Sequence, residues 1–400
     1  MSTQAGSPVP VAAAGRRIGA IDTVRGFALF GILVTNTLVG TMLFAFLGSG
    51  DSTAVRYDGG FDRFVYAVLE GLFLGKFYLL FAFLFGYSFT LQIAASQRTG
   101  ARPVPRLLRR SAALFLIGLA HVMLLWVGDI LTLYAFLCVL LVLLRKVGPR
   151  PAFITGVVLY VLFSALSFIP GNAGFAGLGQ LFDVERIHTG MTGGIGETFE
   201  TQLWLGPLFM IFIWLGQGVT SLGMFLIGMA AGKRRVFEDA ALLERWTPRA
   251  LRLGFGVGLP VSLVTIVLWT ARGELPWYWA GVQQLANPLL TLGYVAGIVW
   301  LTRSRWAGAV GRLAPAGRMA ASNYIAQSVV FMLLYTGYGL ALADRVPPVV
   351  VVLLALVTFA AQLWCSAWWL RRHPYGPVEW LLRAVTYLSI PAWRSRESSA

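Results

Sequence analysis

Ten apolar runs, most of them about 20 residues long, set the terms for how this chain can fold. A helix of that length crosses ~30 Å of hydrocarbon, where each backbone N–H and C=O must find its partner within the segment. The pattern predicts an all-α polytopic membrane protein with about ten transmembrane helices, near 20–47, 64–93, 111–127, 130–145, 151–169, 207–231, 253–271, 278–301, 320–342 and 347–370. A membrane barrel would need shorter alternating segments. With 57% hydrophobic and 12% charged side chains, the composition lies outside that of a soluble domain.

Charge orients the spans. The net charge of +15 is concentrated in alternate loops: Arg98 to Arg110, Arg145 to Arg150, Lys233 to Arg252, Arg303 to Arg312, and Arg371 with Arg372. Such loops face the cytoplasm, and an even number of spans then puts both termini there. Nucleic acid is not an expected partner; the lipid bilayer and a small-molecule or lipid substrate are. The oligomeric state is not set by the sequence. Cys138 and Cys365 lie in apolar segments, so neither a disulfide framework nor a metal ligand set is implied. Residues 1–16 read as a disordered tail and 17–232 as an N-terminal membrane region. Within the latter, an outer loop at 170–206 reads as an interfacial linker with one short helix, or as a substrate lid. A second membrane region covers 233–388, and 389–400 form a cytoplasmic tail.

Polar groups inside hydrocarbon need partners or a purpose. Asp22, Arg25 and Asn36 fall on one stripe of the first helix, because eleven residues at about 100° each return to within ~20° of the starting face. They form either an interfacial pair plus an interhelical amide, or an anion site at the mouth of a cavity that Asn36 lines. Lys76 lies too deep to reach either surface and needs a carboxylate, a phosphate-bearing ligand or water. Glu70 is six residues earlier, on roughly the opposite face of a continuous helix, which argues against an intrahelical pair. His121, deep in the third span, reads by default as a hydrogen-bonded core residue and alternatively as a general base; contact with Asp129 is not dictated by the spacing. In the eighth span Pro288 should kink the helix beside Gln283, Gln284 and Asn287. Arg318 opens the ninth span, and Asn323 with Gln327 forms a second polar stripe. No His, Cys or acid spacing suggests a metal site.

Several stretches carry a family resemblance. Asp22-Thr-Val-Arg25-Gly26-Phe27, with Asn36, resembles the opening of YeiB-like bacterial membrane proteins, and Gly75-Lys76-Phe77 before Leu84-Phe85-Gly86-Tyr87 resembles their second helix. Gly317-Arg318-Met319-Ala320, Ser322-Asn323-Tyr324, Gly337-Tyr338-Gly339 and Gly376-Pro377-Val378-Glu379-Trp380 resemble the domain of unknown function numbered 418. The resemblance runs from about residue 17 to 388 and implies a multi-pass protein of the bacterial cytoplasmic membrane. More distantly, the Asp-x-x-Arg-Gly helix is similar to that of transmembrane acyltransferases, including acyltransferase family 3 and the heparan-glucosaminide acetyltransferase. In acyltransferase family 3 a histidine follows the arginine by eleven residues; this chain has Asn36 there, and Leu47 where the heparan enzyme has a further histidine.

Three functions follow as expectations. In acyl transfer, Arg25, Lys76 and Arg318 would hold the phosphates of a donor such as acyl-CoA, Asn36 and Asn323 would orient the acyl group, and His121, Glu70 or His188 would supply the base. No permanently bound cofactor is expected. A transporter of a small anionic or lipid-like solute would use the Glu70/Lys76 helix and the kinked eighth span. A lipid-binding protein without catalysis would keep the scaffold alone.

Overall fold

The computed structural model describes residues 19–41, 60–169, 182–343 and 345–394. The tail at 1–16, the far end of the first span and all of 170–181, the start of the expected outer loop, lie outside them, as do residues 395–400. Every regular element among the described residues is helical. In chain order these are α1 (Gly19–Thr41), α2 (Gly60–Leu72), α3 (Phe77–Arg98), α4 (Pro103–Leu124), α5 (Leu131–Leu144), α6 (Pro149–Ala165), α7 (Val184–Thr192) and α8 (Ile195–Lys233). They continue with α9 (Ala240–Leu253), α10 (Leu259–Arg272), α11 (Trp279–Leu301), α12 (Ala307–Gly311), α13 (Ala314–Arg318), α14 (Ala320–Tyr335), α15 (Pro348–Arg372) and α16 (Pro377–Tyr387).

The chain is a polytopic all-α membrane protein. Among the described residues, eight helical stretches are long and apolar enough to cross a bilayer, α2 with α3 and α9 with α10 each counting as one, and the shorter apolar helices α5 and α14 stand where the fourth and ninth spans are expected. Two differences from the expected spans bear on the site. The sixth span begins at Ile195 instead of 207, giving a helix roughly 58 Å long at ~1.5 Å per residue. Its first turns look like a loop because they are polar, yet Thr198, Thr201 and Gln202 are buried, and Gln202 donates to the Val122 carbonyl at 2.7 Å. Glu197 starts it by accepting from the Gly194 amide at 2.7 Å. The second span is also broken: residues 73–76 form a turn, with Gly75 at φ 81°, a left-handed conformation that glycine adopts without strain.

α1 is the buried axis of the bundle. Two-thirds of its apolar window (67%) is buried, against 22% for the span containing α6. It packs on α3, α13, α14 and α15. Glycines let these backbones touch, since without a hydrophobic drive between helices in lipid, close van der Waals contact is what holds them. A methyl group on Gly26 would overlap the Leu313 carbonyl, and one on Gly317 would overlap the Asp22 carbonyl. The α3–α8 pair is built the same way, with Gly86 against the Phe225 carbonyl and Gly228 against the Phe83 carbonyl.

Candidate functional site

The central constellation forms where α4, α5 and α14 meet. α4 ends at Leu124 and the chain turns back through Trp126 and Gly128, delivering Asp129 to the start of α5. There Asp129 accepts the Thr132 amide on Oδ2 (2.8 Å) and faces His121 Nδ1 with Oδ1 (2.9 Å). A carboxylate is tolerated at 0% exposure because both oxygens have donors and a helix N-terminus adds its positive end. The other nitrogen of His121, Nε2, lies 2.7 Å from Ser328 Oγ on α14. With Asp129 accepting at Nδ1, that nitrogen carries the proton; in the neutral imidazole Nε2 is then an acceptor and Ser328 donates to it. This is a hydroxyl, an imidazole and a carboxylate in series, the arrangement that activates an oxygen nucleophile. His121 and Ser328 are 2% and 4% exposed.

Two donors near this series have no acceptor among the described residues. The Tyr324 ring lies 5.1 Å from that of His121, and its hydroxyl proton has none. Trp126 packs on Phe331 at 4.6 Å, and its Nε1 has none. Unmet buried donors cost about 1–3 kcal/mol each, so a ligand oxygen that accepted from them would be stabilised.

Asn36 belongs with this group. Leu29, Leu33, Asn36 and Gly40 share one face of α1. Gln327 donates to the Leu29 carbonyl at 3.3 Å, and Phe331 packs against Gly40. The face carrying Asn36 therefore runs beside the stretch of α14 that carries Ser328. Asn36 is half-buried and makes no hydrogen bond among the described residues.

Arg25 sits nearer the arginine-rich end of the bundle. It pairs with Asp22 at 3.0 Å and donates to Ser88 Oγ on α3 at 2.5 Å. Arg110, which lies within α4 and not in the loop before it, is within electrostatic range of Arg25 and of Glu379. Arg318 is half-buried at the end of α13, and the Gly317–Asp22 contact brings it to the same end.

Lys76 is not part of that group. Fully buried at the break between α2 and α3, it donates to the backbone carbonyl of Glu70 at 3.2 Å and lies within electrostatic range of its carboxylate. A continuous helix would put Glu70 and Lys76 on opposite faces; the turn at residues 73–76 breaks the helix and brings them together. α11 props the break: Thr291 donates to the Lys76 carbonyl (3.1 Å) and Tyr294 to that of Leu72 (2.9 Å).

Asn323 and Gln327 are engaged by neighbouring helices. The Asn323 amide donates to the Ala316 carbonyl (3.2 Å) and to Ser366 (2.9 Å), and Gln327 also donates to Gln362 (3.0 Å). Glu379 holds α14 from its start: Oε1 accepts the amides of Ala321 and Ser322 at 2.7 and 3.2 Å, and Oε2 accepts the Ser322 hydroxyl at 2.6 Å. The Ser-Asn-Tyr and Gly-Pro-Val-Glu motifs thus meet, and their contact sets the position of the helix that carries Ser328. Ser328 itself gave no signal, because a lone serine in an apolar helix ordinarily bonds its own backbone. Among the described residues, no three His, Cys, Asp or Glu side chains gather into a metal-binding group.

Known proteins share this chain almost end to end. The family model described as "Protein of unknown function (DUF418)" matches residues 231–389. The uncharacterized protein YxaH of Bacillus subtilis (strain 168) is 32% identical over 398 residues, covering 93% of this chain and 95% of that protein. An uncharacterized 39.9 kDa protein in the amylase 3' region of Bacillus acidopullulyticus is 28% identical over 377 residues, covering 93% and 94%. The uncharacterized protein YeiB of Escherichia coli (strain K12) is 27% identical over 400 residues, covering 92% and 95%. The chain belongs to the YeiB-like family of multi-pass membrane proteins that carry the DUF418 region.

Proposed function

We propose that this protein transfers acyl groups from a thioester donor such as acyl-CoA to a hydroxyl acceptor, in the cytoplasmic membrane of a bacterial cell. One observation carries the reading: His121 is held between a carboxylate and a serine hydroxyl, at 2.9 and 2.7 Å. Ser328 Oγ attacks the thioester carbonyl as His121 Nε2 takes its proton. The C–S bond breaks, and the thiol leaves with the proton returned by His121. An acceptor hydroxyl then attacks the acyl-serine ester; His121 takes its proton and delivers it to Ser328 Oγ. Tyr324, Trp126 and Asn36 are the donors available to the developing oxyanion. Of the three bases offered by the sequence, this reading takes His121 and leaves Glu70 and His188 outside the chemistry.

The purified protein, incubated with radiolabelled acyl-CoA, should accumulate an acyl group stable to denaturation and localised to Ser328 by mass spectrometry. Ser328→Ala should abolish both the adduct and transfer. A wild-type protein that neither hydrolyses nor transfers the acyl group sinks the proposal.

A second reading, transport of an anionic solute, draws on the broken second span. An interrupted helix with a buried Lys76 and a nearby Glu70 resembles the half-helices that line substrate sites in transporters. It predicts flux of organic anions into proteoliposomes that Lys76→Ala eliminates and Ser328→Ala leaves untouched.

A further inference from the structure

A cavity of about 660 Å³ opens at the arginine-rich end of the bundle, between the start of α4 and the segment that follows α16. Among the described residues, Arg106, Arg383 and Arg394 line it together with Tyr375, Tyr387 and Pro391, and no acidic side chain does. Its size is within the usual range for small-ligand pockets.

The walls are fixed in place. Arg109, one helical turn from Arg106, donates twice to the Thr386 carbonyl at 3.1 and 3.0 Å, tying α4 to α16. The segment after α16 is pinned by Trp393, which meets the rings of Trp369, His373 and Trp380 at 5.9, 5.3 and 5.4 Å. His373 Nδ1 bonds the Trp393 carbonyl at 2.7 Å, and Trp380 donates to that of Pro391 at 2.9 Å.

Arg383 is the informative residue. Its guanidinium lies over the Tyr375 ring at 4.5 Å and over the Tyr387 ring at 5.0 Å, and Arg106 reaches the same Tyr387 ring at 4.9 Å. Stacking occupies the flat faces of a guanidinium and leaves its edge, with five N–H donors, for an in-plane acceptor. Among the described residues, Arg383 donates no hydrogen bond. A rigid fork of this kind, beside two further arginines and with no carboxylate among the described lining residues, matches the oxygens of a phosphate.

We propose that this cavity binds a phosphate-bearing ligand through Arg383, Arg106 and Arg394. The phosphate can belong to a soluble molecule, such as a nucleotide-containing carrier, or to the headgroup of an anionic lipid. The site stands apart from the His121 constellation, and its binding is measured without turnover.

The test uses the full chain purified in neutral detergent. Inorganic pyrophosphate and coenzyme A are titrated by calorimetry. In a parallel arm, nanodiscs of equal parts phosphatidylcholine and phosphatidylglycerol are used to count retained lipid by native mass spectrometry. Wild-type protein should bind the soluble phosphates, retain phosphatidylglycerol preferentially, or both; the arm that responds identifies the source. Arg383→Gln should weaken that binding about tenfold, with Arg383→Lys in between because it keeps the charge and loses the fork. Arg394→Gln, on the opposite wall, gives the same test should Arg383→Gln not fold. Binding in neither arm overturns the site. So does a loss no greater than that of Arg303→Gln, which removes one exposed charge from the same end outside the cavity.

Discussion

Changing Asp129 to asparagine should cut the turnover number of acyl transfer by about 10⁴-fold while leaving KM for the donor unchanged. The substitution preserves shape and removes the acceptor that holds the proton on His121 Nδ1. An amide at that place can donate to Nδ1 and drive the imidazole proton to Nε2, where it blocks the Ser328 hydroxyl. Asp129 touches no substrate in this scheme; it is a positioning residue, and its effect falls on the chemical step. Steady-state kinetics and thermal melting of the same preparation distinguish this from a purely structural role. A lower melting temperature with unchanged turnover per folded molecule would reduce Asp129 to a cap for α5.

The second large effect is on stability, at the crossing of α1 and α13. Gly317→Ala should destabilise the protein by about 3 kcal/mol or more, at the upper end of the cost of overpacking. Helix propensity alone predicts the opposite sign, since alanine is favoured over glycine by about 1 kcal/mol inside a helix. At Gly317 the methyl would overlap the Asp22 carbonyl and crowd the Gly26 amide. Neither is the end of a flexible side chain, so the helices must separate. Gly308→Ala in α12 is the matched control, because nothing lies within 4 Å of the added methyl. Fluorescence-detected size exclusion after heating should show Gly317→Ala melting well below wild type and Gly308→Ala at or above it. Equal melting of the two would remove the close-contact argument.

How much of this was legible beforehand depends on the range of each contact. The Asp22–Arg25 pair lies within one helical turn, so periodicity alone put the two together, and the structure pairs them at 3.0 Å. Deep apolar runs were legible for the same reason. A helical wheel separates Glu70 from Lys76 only in an unbroken helix; the break depends on Gly75 and on props from α11, more than 200 residues later. His121 and Asp129 are eight residues apart, but the path of the chain through Trp126 and Gly128 decides their contact, and no propensity specifies that path. Ser328 comes from 207 residues away, beyond any local signal. The Gly-Pro-Val-Glu motif was visible as a pattern, and only its bonds to Ala321 and Ser322 explain why a glutamate stands there.

The burial of α1 bears on how the protein is made. Among the described spans, α1 comes earliest in the chain and is the most enclosed by protein, and the residues that enclose it include Leu313, Gln327 and Phe331. Until those are synthesised, Asp22, Arg25 and Asn36 face lipid or an insertion machine. Membrane insertion and helix association are separable stages, and here the helices α2 to α12 are translated between them. Assembly of this bundle therefore runs outside-in: the axis precedes the helices that enclose it, and a product truncated before α13 would leave Asp22, Arg25 and Asn36 unshielded.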